Sequence, residues 1–170
     1  MKTPIALRPM SEADCVTISE AFAGQGWNKP VSQYQNYLRQ SAEGKRDILV
    51  AEVQGGFAGY VTIMWDSGYP PFREAHIPEI VDLNVLKRYQ RQGVATMLLD
   101  EAEQRIVQRS PIIGIGVGLT SDYGVAQSLY AKRGYVPDGR GIYEHGKQVE
   151  PGETITINDD VALYLIKRFK

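Results

Sequence analysis

The sequence has few of the residues on which several protein classes depend. Its 170 residues include one cysteine, Cys15, and two histidines. A single cysteine excludes an internal disulfide framework, and the scarcity of thiol and imidazole groups argues against a metal site. No apolar run approaches the roughly 18 residues that a membrane-spanning helix needs. We therefore expect a soluble, cytoplasmic protein that uses no metal and does not bind a membrane.

The chain also lacks a surplus of either charge. Lysine and arginine total 19 against 20 aspartate and glutamate, for a net charge of -1. Proteins that bind nucleic acid through its backbone need a basic surplus to displace counterions from the phosphates, so we expect no nucleic-acid partner. With 43% hydrophobic residues the chain can form a core of its own. At this length we expect one domain over residues 1–170.

The apolar pattern predicts a mixed order of elements, β-α-α-β-β-β-α-β-α-β-β. Its centre is a strand at 80–85, an amphipathic helix from Gly93 to about Arg109, and a strand at 112–119. Such a unit predicts two parallel neighbouring strands joined by a right-handed crossover. The last of these strands alternates large residues with glycine, which indicates either close approach of another group or close helix packing. Residues 66–78 are predicted to form a loop.

The segment from Lys87 to Thr96 joins a predicted strand to a predicted helix. It brings backbone N–H groups to the start of that helix, where the helix dipole contributes about half a positive charge. Lys87, Arg88 and Arg91 add full charges, and Gly93 lets a ligand approach the backbone. A solvated basic turn is the alternative, but the geometry is typical of a phosphate-binding site.

Two short motifs carry a resemblance to a known family. Gln90-Arg91-Gln92-Gly93-Val94-Ala95 resembles the pyrophosphate loop of the GNAT superfamily, the acetyl-CoA-dependent N-acetyltransferases. The block from Ala126 to Tyr135 resembles the family's Ala-x-x-Leu-Tyr-x-Lys-x-Gly-(Phe/Tyr) signature. The resemblance implies an α/β fold, specifically a mixed, mostly antiparallel sheet of about seven strands with a splayed parallel β4/β5 pair and about four helices.

The same resemblance implies acetyl-CoA as the cofactor and CoA as the product. The backbone of Leu83 to Val85 would pair with the pantetheine arm, and the Leu83 N–H would donate to the thioester oxygen. Tyr123 stands where many relatives have asparagine, which puts that contact in question. The full set of expected cofactor contacts is Leu83, Asn84, Val85, Gln90, Arg91, Gln92, Gly93, Val94, Ala95, Thr96, Tyr123, Ala126 and Tyr130.

Acetyl transfer to an amine also needs a proton acceptor, because only about one lysine-like amine in 2,500 is neutral at pH 7. Glu79 is the leading candidate: it lies eleven positions before Gln90, where the histone-acetyltransferase branch has its general base. Asp82 is the second candidate, and His76 is a third. An exposed strand-end glutamate and a structurally satisfied aspartate are the alternatives for the first two. The family would use Tyr130 to donate to the departing thiolate, and a core tyrosine is the alternative reading.

We expect an N-acetyltransferase acting by direct attack of a bound amine, on a small molecule or a peptide. Four aromatic residues expected on loops are candidates to line the acceptor pocket: Trp27, Trp65, Tyr69 and Tyr143. A non-catalytic module that binds acyl-CoA is the competing interpretation. The sequence leaves open whether the protein is a monomer or a homodimer.

Overall fold

The computed structural model describes residues 3–170 and contains eight strands and five α-helices in that range. Two short 3-10 helices, Lys87–Tyr89 and Ser121–Tyr123, precede α4 and α5. The mixed α/β class is therefore confirmed, with one strand and one helix more than predicted. The elements in chain order are β1 (Ile5–Pro9), α1 (Asp14–Ala23), α2 (Val31–Ala42), β2 (Arg46–Val53), β3 (Gly56–Met64), α3 (Pro70–Glu74), β4 (Glu79–Val85), α4 (Val94–Val107), β5 (Ile112–Gly118), α5 (Gly124–Lys132), β6 (Val136–Glu144), β7 (Lys147–Gln148) and β8 (Val161–Arg168).

Contacts group the chain into two units. The first contains the chain up to Trp65 together with Ile80–Arg105, and the second contains Asp66–Glu79 together with Ile106–Lys170. Within the first unit the strand order is β1-β2-β3-β4, with β2 antiparallel to both β1 and β3. Within the second it is β5-β8-β6-β7, with β8 antiparallel to both β5 and β6. One domain over residues 1–170 stays a prediction, and residues 1 and 2 lie outside the described part.

The first unit has a core built around an aromatic side chain of α1. Helix α1 buries Cys15, Ile18 and Phe22, which recur at the spacing of one helix face. The Phe22 ring meets Phe57 and Tyr60 edge to face, with centroids 5.9 and 6.0 Å apart. Each large side chain buried in this way contributes about 1.5–3 kcal/mol, so packing rather than helix propensity holds α1 in place.

In the second unit the glycine face of β5 is covered by aromatic rings. A Cβ at Gly114 would lie 2.2 Å from the Phe72 ring, and one at Gly118 would lie 2.3 Å from the Tyr123 ring. Gly116 faces its cross-strand neighbour Tyr164 in the same way. The absent side chains therefore make room for aromatic rings of the protein itself, among them Phe72 of α3 and Tyr123 of the 3-10 helix before α5.

Two predictions of local structure are wrong. The expected loop at 66–78 contains α3, whose first two residues are prolines; the fixed φ of proline suits the first helical turn. Tyr143, expected on a loop, lies in β6. Strand β6 continues past Gly139 and Gly141, both at positive φ, through a register shift between Pro137 and Ile142. The glycines of such a bulge resemble those of a loop, so the sequence pattern predicts a loop where the strand continues.

Candidate functional site

The connection between β4 and α4 has the backbone conformation of an anion site. Arg91 and Gly93 both have positive φ, 61° and 92°, and α4 begins immediately afterwards at Val94. The first helical bond of this turn runs from the Met97 N–H to the Gly93 carbonyl, 3.0 Å. Because the preceding N–H groups of a helix have no acceptor within it, those of Val94 to Thr96 are directed at whatever lies before the helix.

Two glutamine side chains hold this connection in shape. Gln90 Nε2 donates to the Val85 carbonyl at 3.2 Å, and Gln92 Nε2 donates to the Arg88 carbonyl at 2.9 Å. Each bond joins a glutamine side chain to a backbone carbonyl four or five residues earlier in the chain. The sequence interpretation placed Gln90 and Gln92 among the cofactor contacts, and in the structure their amide N–H groups are used to form the loop.

The space in front of this loop suits a diphosphate. Nothing lies within 4 Å of the place where a Cβ on Gly93 would stand, so a ligand can approach the backbone there. Arg91 is exposed beside it and supplies a positive charge. An open depression of about 310 Å³ adjoins the loop, lined by Thr3, Ile5, Val53, Arg91, Gln92 and Gly93. The N–H groups at the helix N-terminus and the arginine together match the chemistry of the pyrophosphate of acetyl-CoA.

Strand β4 is irregular at Asp82. This residue has φ of 60°, the left-handed conformation that residues other than glycine rarely adopt. A left-handed residue in a strand interrupts the ladder, as in a β-bulge, and bulges often redirect groups beside functional sites. Leu83 and Asn84, which follow it, are half-buried, and Val85 is buried.

The Asp82 carboxylate is the centre of a polar network inside the first unit. Its Oδ2 accepts hydrogen bonds from Tyr60 Oη at 2.6 Å, Tyr37 Oη at 2.8 Å and Gln33 Nε2 at 3.2 Å. Its Oδ1 accepts one from the Asn84 amide. A structurally satisfied aspartate is the alternative interpretation of this residue, and side chains from α2, β3 and β4 supply its donors.

The tyrosines of this network remain neutral donors. Burial raises the pKa of Tyr60 far above its usual value, and the negative charge of Asp82 raises it further. The same two causes, in the same order, raise the pKa of Tyr37. Tyr34 donates in turn to Tyr60 Oη at 3.2 Å, and burial raises its pKa as well. Tyr37 and Tyr60 therefore donate directly to the Asp82 carboxylate, and Tyr34 donates to Tyr60.

In the second unit, Glu79 is a buried carboxylate with a positioned donor. The residue is 8% exposed, so the alternative of an exposed strand-end glutamate is wrong. Ser67 Oγ donates to Glu79 Oε2 and accepts the Tyr69 N–H at 3.0 Å. The turn before α3 therefore fixes the carboxylate. His76, the third candidate base, is exposed at positive φ after α3.

Tyr130 lies near the end of α5 and is 6% exposed. Burial raises the pKa of Tyr130 to about 12. Its hydroxyl makes no side-chain hydrogen bond with any residue between 3 and 170, and the nearest ring is Tyr135, at 6.0 Å between centroids. A protonated phenol with an unused donor is suited to donating a hydrogen bond to an anionic ligand.

Tyr123 departs from the family pattern in its contacts as well as in its identity. Its ring packs over Gly118, and its hydroxyl donates to Asp159 Oδ1 at 2.8 Å. Ala126 is half-buried on α5, and the neighbouring Gln127 donates to the Gly118 carbonyl at 2.8 Å. Tyr123 is therefore engaged with β5 and with the segment before β8.

The four aromatic candidates for the acceptor pocket have different environments. Trp27 is half-buried and stacks on Phe22, with centroids 5.7 Å apart. Trp65 is half-buried and donates through Nε1 to Asp47 at 3.0 Å. Tyr69 is only 2% exposed, so it offers a ligand little surface. Tyr143 is half-buried and meets Tyr69 edge to face at 4.8 Å.

Tyr69 belongs to an aromatic cluster of the second unit. Its ring stacks on Tyr164 with centroids 3.6 Å apart, and its hydroxyl donates to Asp138 Oδ2 at 2.6 Å. Burial raises the pKa of Tyr164 to about 12, with smaller contributions from the charges of Glu79 and Asp138. The cluster therefore places a neutral phenol, that of Tyr69, against the Asp138 carboxylate.

The described part of the chain contains neither a candidate metal site nor a candidate membrane span. Residues 3–170 contain no group of three or more histidine, cysteine, aspartate or glutamate side chains arranged to hold a metal ion. No helix over the same range has the length and hydropathy of a transmembrane segment.

Comparison with known proteins identifies the family. A family model described as an acetyltransferase (GNAT) domain matches residues 9–151, most of the chain. The chain belongs to the GNAT acetyltransferase family. The β4–α4 connection and the α5 block thus occur in the family whose motifs they resemble. A search of curated protein sequences gives no significant match.

Solved structures of acetyltransferases share the fold. The yncA protein of Salmonella typhimurium, solved with its cofactor acetyl-CoA, is 17% identical with a TM-score of 0.68, over 98% of this chain and 94% of that one. A ribosomal-protein-alanine N-acetyltransferase from Brucella melitensis is 18% identical with a TM-score of 0.69, over 96% and 99%. An N-acetyltransferase from Staphylococcus aureus Mu50 is 12% identical with a TM-score of 0.72, over 99% and 100%. At these identities the similarity establishes the fold alone.

Sequence reasoning missed several residues of this GNAT domain that support the candidate carboxylates. Tyr37, Tyr60 and Gln33 donate to Asp82, and Ser67 donates to Glu79. One compositional signal pointed to them, since the chain has 10 tyrosines and 4 phenylalanines. Buried tyrosines need partners for their hydroxyl groups, so a tyrosine-rich core predicts an internal polar network.

Proposed function

We propose that this protein is an N-acetyltransferase that transfers the acetyl group of acetyl-CoA to a primary amine of a small molecule or a peptide. The amine attacks directly while both substrates are bound. The observation that carries this proposal is the β4–α4 connection, where two residues at positive φ, Arg91 and Gly93, precede the start of α4. Membership of the GNAT family supplies the reaction class.

The proposal assigns cofactor binding to β4 and the loop after it. Residues Arg91 to Thr96 hold the pyrophosphate through backbone N–H groups and the arginine charge. The backbone of Leu83 to Val85 pairs with the pantetheine arm. The Leu83 N–H, immediately after the irregularity at Asp82, donates to the thioester oxygen, and one such donor contributes about 2.7–4 kcal/mol to transition-state stabilisation when it is well aimed.

Glu79 is the proposed general base. It accepts a proton from the amine, directly or through water, so that the nitrogen lone pair is free to attack. Its burial and the hydrogen bond from Ser67 support this role, because a base must be held in one orientation. Asp82 is the second candidate, although its oxygens already accept bonds from Tyr60, Tyr37, Gln33 and Asn84.

Tyr130 is proposed to stabilise the departing thiolate by a hydrogen bond. Transfer of its proton to a thiolate is unfavourable, since a phenol pKa of about 12 exceeds the usual thiol value of about 8.5 by an amount equivalent to ~5 kcal/mol. A hydrogen bond to the developing charge needs no such transfer. Tyr130 therefore acts in this proposal as a donor that stays protonated.

The rest of the proposal concerns the acceptor pocket, the need for a metal, the cellular location and the oligomeric state. Trp27, Trp65 and Tyr143 are half-buried and remain candidates to contact the acceptor, together with the more deeply buried Tyr69. The proposed mechanism requires no metal, because Glu79 accepts the proton of the amine, the Leu83 N–H stabilises the thioester oxygen and Tyr130 stabilises the thiolate. The protein would act in the cytoplasm as a monomer or a homodimer.

Release of free thiol from acetyl-CoA, measured against a panel of small and peptidic amines, tests this proposal. We expect at least one amine to be acetylated, with equal amounts of CoA released and N-acetyl product formed. The matched control is Glu79→Gln, which keeps the oxygen that accepts the Ser67 bond and removes the basic group. Binding of CoA without acetylation of any amine would instead support the non-catalytic acyl-CoA module.

A further inference from the structure

A lysine of the first unit has its ammonium group beside the irregular residue of β4. Lys29, between α1 and α2, places Nζ 3.6 Å from Asp82 Oδ1. Both side chains are only 18% exposed, so the pair is largely removed from water. Lys29 Nζ also lies 5.4 Å from the centroid of the Phe22 ring. The long side chain is therefore held inward rather than extended into solvent.

The carboxylate that faces this amine is fixed by its other bonds. Oδ2 of Asp82 accepts from three side chains, among them Tyr60 at 2.6 Å and Tyr37 at 2.8 Å. These donors come from different elements and hold the carboxylate in one orientation. Asp82 therefore offers an oriented carboxylate that can pair with one primary ammonium group, and Lys29 supplies that group.

The position matters because of the next residue along the chain. Leu83 follows Asp82, and in the proposed function the Leu83 N–H donates a hydrogen bond to the thioester oxygen. An amine held at the Asp82 carboxylate is therefore paired with the residue immediately before the proposed thioester donor. We propose that Lys29 is a self-acetylation site, at which the protein transfers the acetyl group of acetyl-CoA to its own side chain.

The reaction balances without a further reactant. A proton leaves the Lys29 ammonium and passes to the Asp82 carboxylate, directly or through water. The freed nitrogen attacks the acetyl carbonyl carbon, a C–N bond forms, the C–S bond breaks, and CoA leaves as the thiolate. The product is an uncharged acetyl-lysine, which can no longer form an ion pair with Asp82.

A second lysine of the chain provides an internal control. Lys45 also pairs with a carboxylate, Glu43, at 2.6 Å, but its side chain is 61% exposed. Uncatalysed acetylation by free acetyl-CoA favours accessible amines, so it should modify Lys45 at least as fast as Lys29. Self-acetylation should reverse this order, because positioning at the acetyl group raises the effective concentration of the amine.

The experiment follows the full chain with isotope-labelled acetyl-CoA and quantifies acetylation at both lysines by peptide mass spectrometry. We expect Lys29 to be labelled about tenfold or more faster than Lys45, with a rate constant independent of protein concentration. Tyr130→Phe should slow labelling of Lys29 and leave Lys45 unchanged. Lys29→Arg, which keeps a cation beside Asp82, should remove the fast label entirely.

The inference rests on the proposed function, and the amine panel separates the two. If amines of the panel are acetylated while Lys29 is labelled no faster than Lys45, the self-acetylation inference is overturned and the proposed function stands. Labelling of Lys29 that rises with protein concentration would also overturn it, because one molecule would then be modifying another. If neither amines nor Lys29 are acetylated, both proposals fail.

Discussion

At the scale of single residues, this GNAT domain contains two carboxylates that are held in different ways. Glu79 is buried and receives a hydrogen bond from Ser67. Asp82 receives bonds from two phenols, Tyr37 and Tyr60, and from two amides, and it faces an ammonium group. Four donors and an ion pair thus fix the orientation of the Asp82 carboxylate. Glu79 stays the first candidate for the base and Asp82 the second, and variants of the two residues distinguish them.

Glu79→Gln is expected to lower the acetylation rate by about a hundredfold or more at neutral pH, the usual contribution of a general base. The loss should be largest at low pH, because the variant must rely on the small fraction of amine that is already neutral. The measurement is the pH dependence of kcat for the wild type and the variant. Asp82→Asn is the companion variant, and the role passes to Asp82 if it changes the pH profile while Glu79→Gln does not.

Tyr130→Phe tests the unused phenol donor. Removing a hydrogen bond to a charged group costs about 1.5–3 kcal/mol, so kcat should fall by about ten- to a hundredfold. CoA affinity should stay close to the wild-type value, since the bond forms only as the thiolate develops. Steady-state kinetics measure the fall in kcat, and a direct binding measurement checks the CoA affinity. A variant with full kcat at every pH would remove Tyr130 from the mechanism.

At the scale of elements, two stretches of backbone carry conformations that depend on glycine. The β4–α4 connection needs Gly93 at φ of 92°, and β5 needs Gly114 because a ring occupies the space of its side chain. These are separate requirements, one of dihedral angle and one of volume. They give variants with different expected effects.

Gly93→Ala should weaken CoA binding more than it weakens the fold. An alanine at this φ costs roughly 1–3 kcal/mol of backbone strain, and its methyl group would stand in the open space before the loop. Gly152→Ala is the matched control, because Gly152 has φ of 90° and equally open surroundings. Calorimetric CoA titration and thermal melts of both variants measure the two effects. Equal CoA affinity in the two variants would argue against a phosphate site at Gly93.

Gly114→Ala should destabilise the fold by about 1–3 kcal/mol, the usual cost of overpacking. The added methyl carbon would stand 2.2 Å from a Phe72 ring atom, and that ring is itself fully buried. Gly124→Ala is the control, since Gly124 has φ of -58° in α5 and no atom near the added carbon. Its stability should be unchanged or slightly raised. Denaturant unfolding compares the two, and equal stability would mean that Phe72 moves freely.

At the scale of the whole molecule, the sequence predicted the class of fold and the loop that leads into α4 because both depend on local patterns. The apolar stripe of α4 and the residues around Gly93 lie within one short stretch of chain. The Asp82 network could not be predicted in this way. Its donors Tyr37 and Tyr60 come from α2 and β3, and only tertiary packing brings them to one carboxylate. Local pattern likewise gave no sign that β6 continues beyond its glycines.

The buried phenols predict that stability falls in alkaline solution. Burial raises the pKa of Tyr130 and of Tyr164 to about 12, from a usual value of about 10, and it raises the pKa values of Tyr34, Tyr37, Tyr60 and Tyr69 as well. Above about pH 10 the unfolded chain releases these protons and the folded chain retains them, so the folded state binds more protons and its stability decreases as pH rises.

Tyr130 alone accounts for about 2–3 kcal/mol of this loss once the pH reaches its folded pKa of about 12, and the half-buried Tyr164 contributes less because solvent screens it. Thermal melts at rising pH should therefore show a steady melting temperature below about pH 10 and a falling one above it. Phenolate absorbance in the same samples should show the exposed tyrosines ionising first and the remainder ionising together with unfolding. Ionisation of all 10 tyrosines while the protein stays folded would contradict the network described around Asp82.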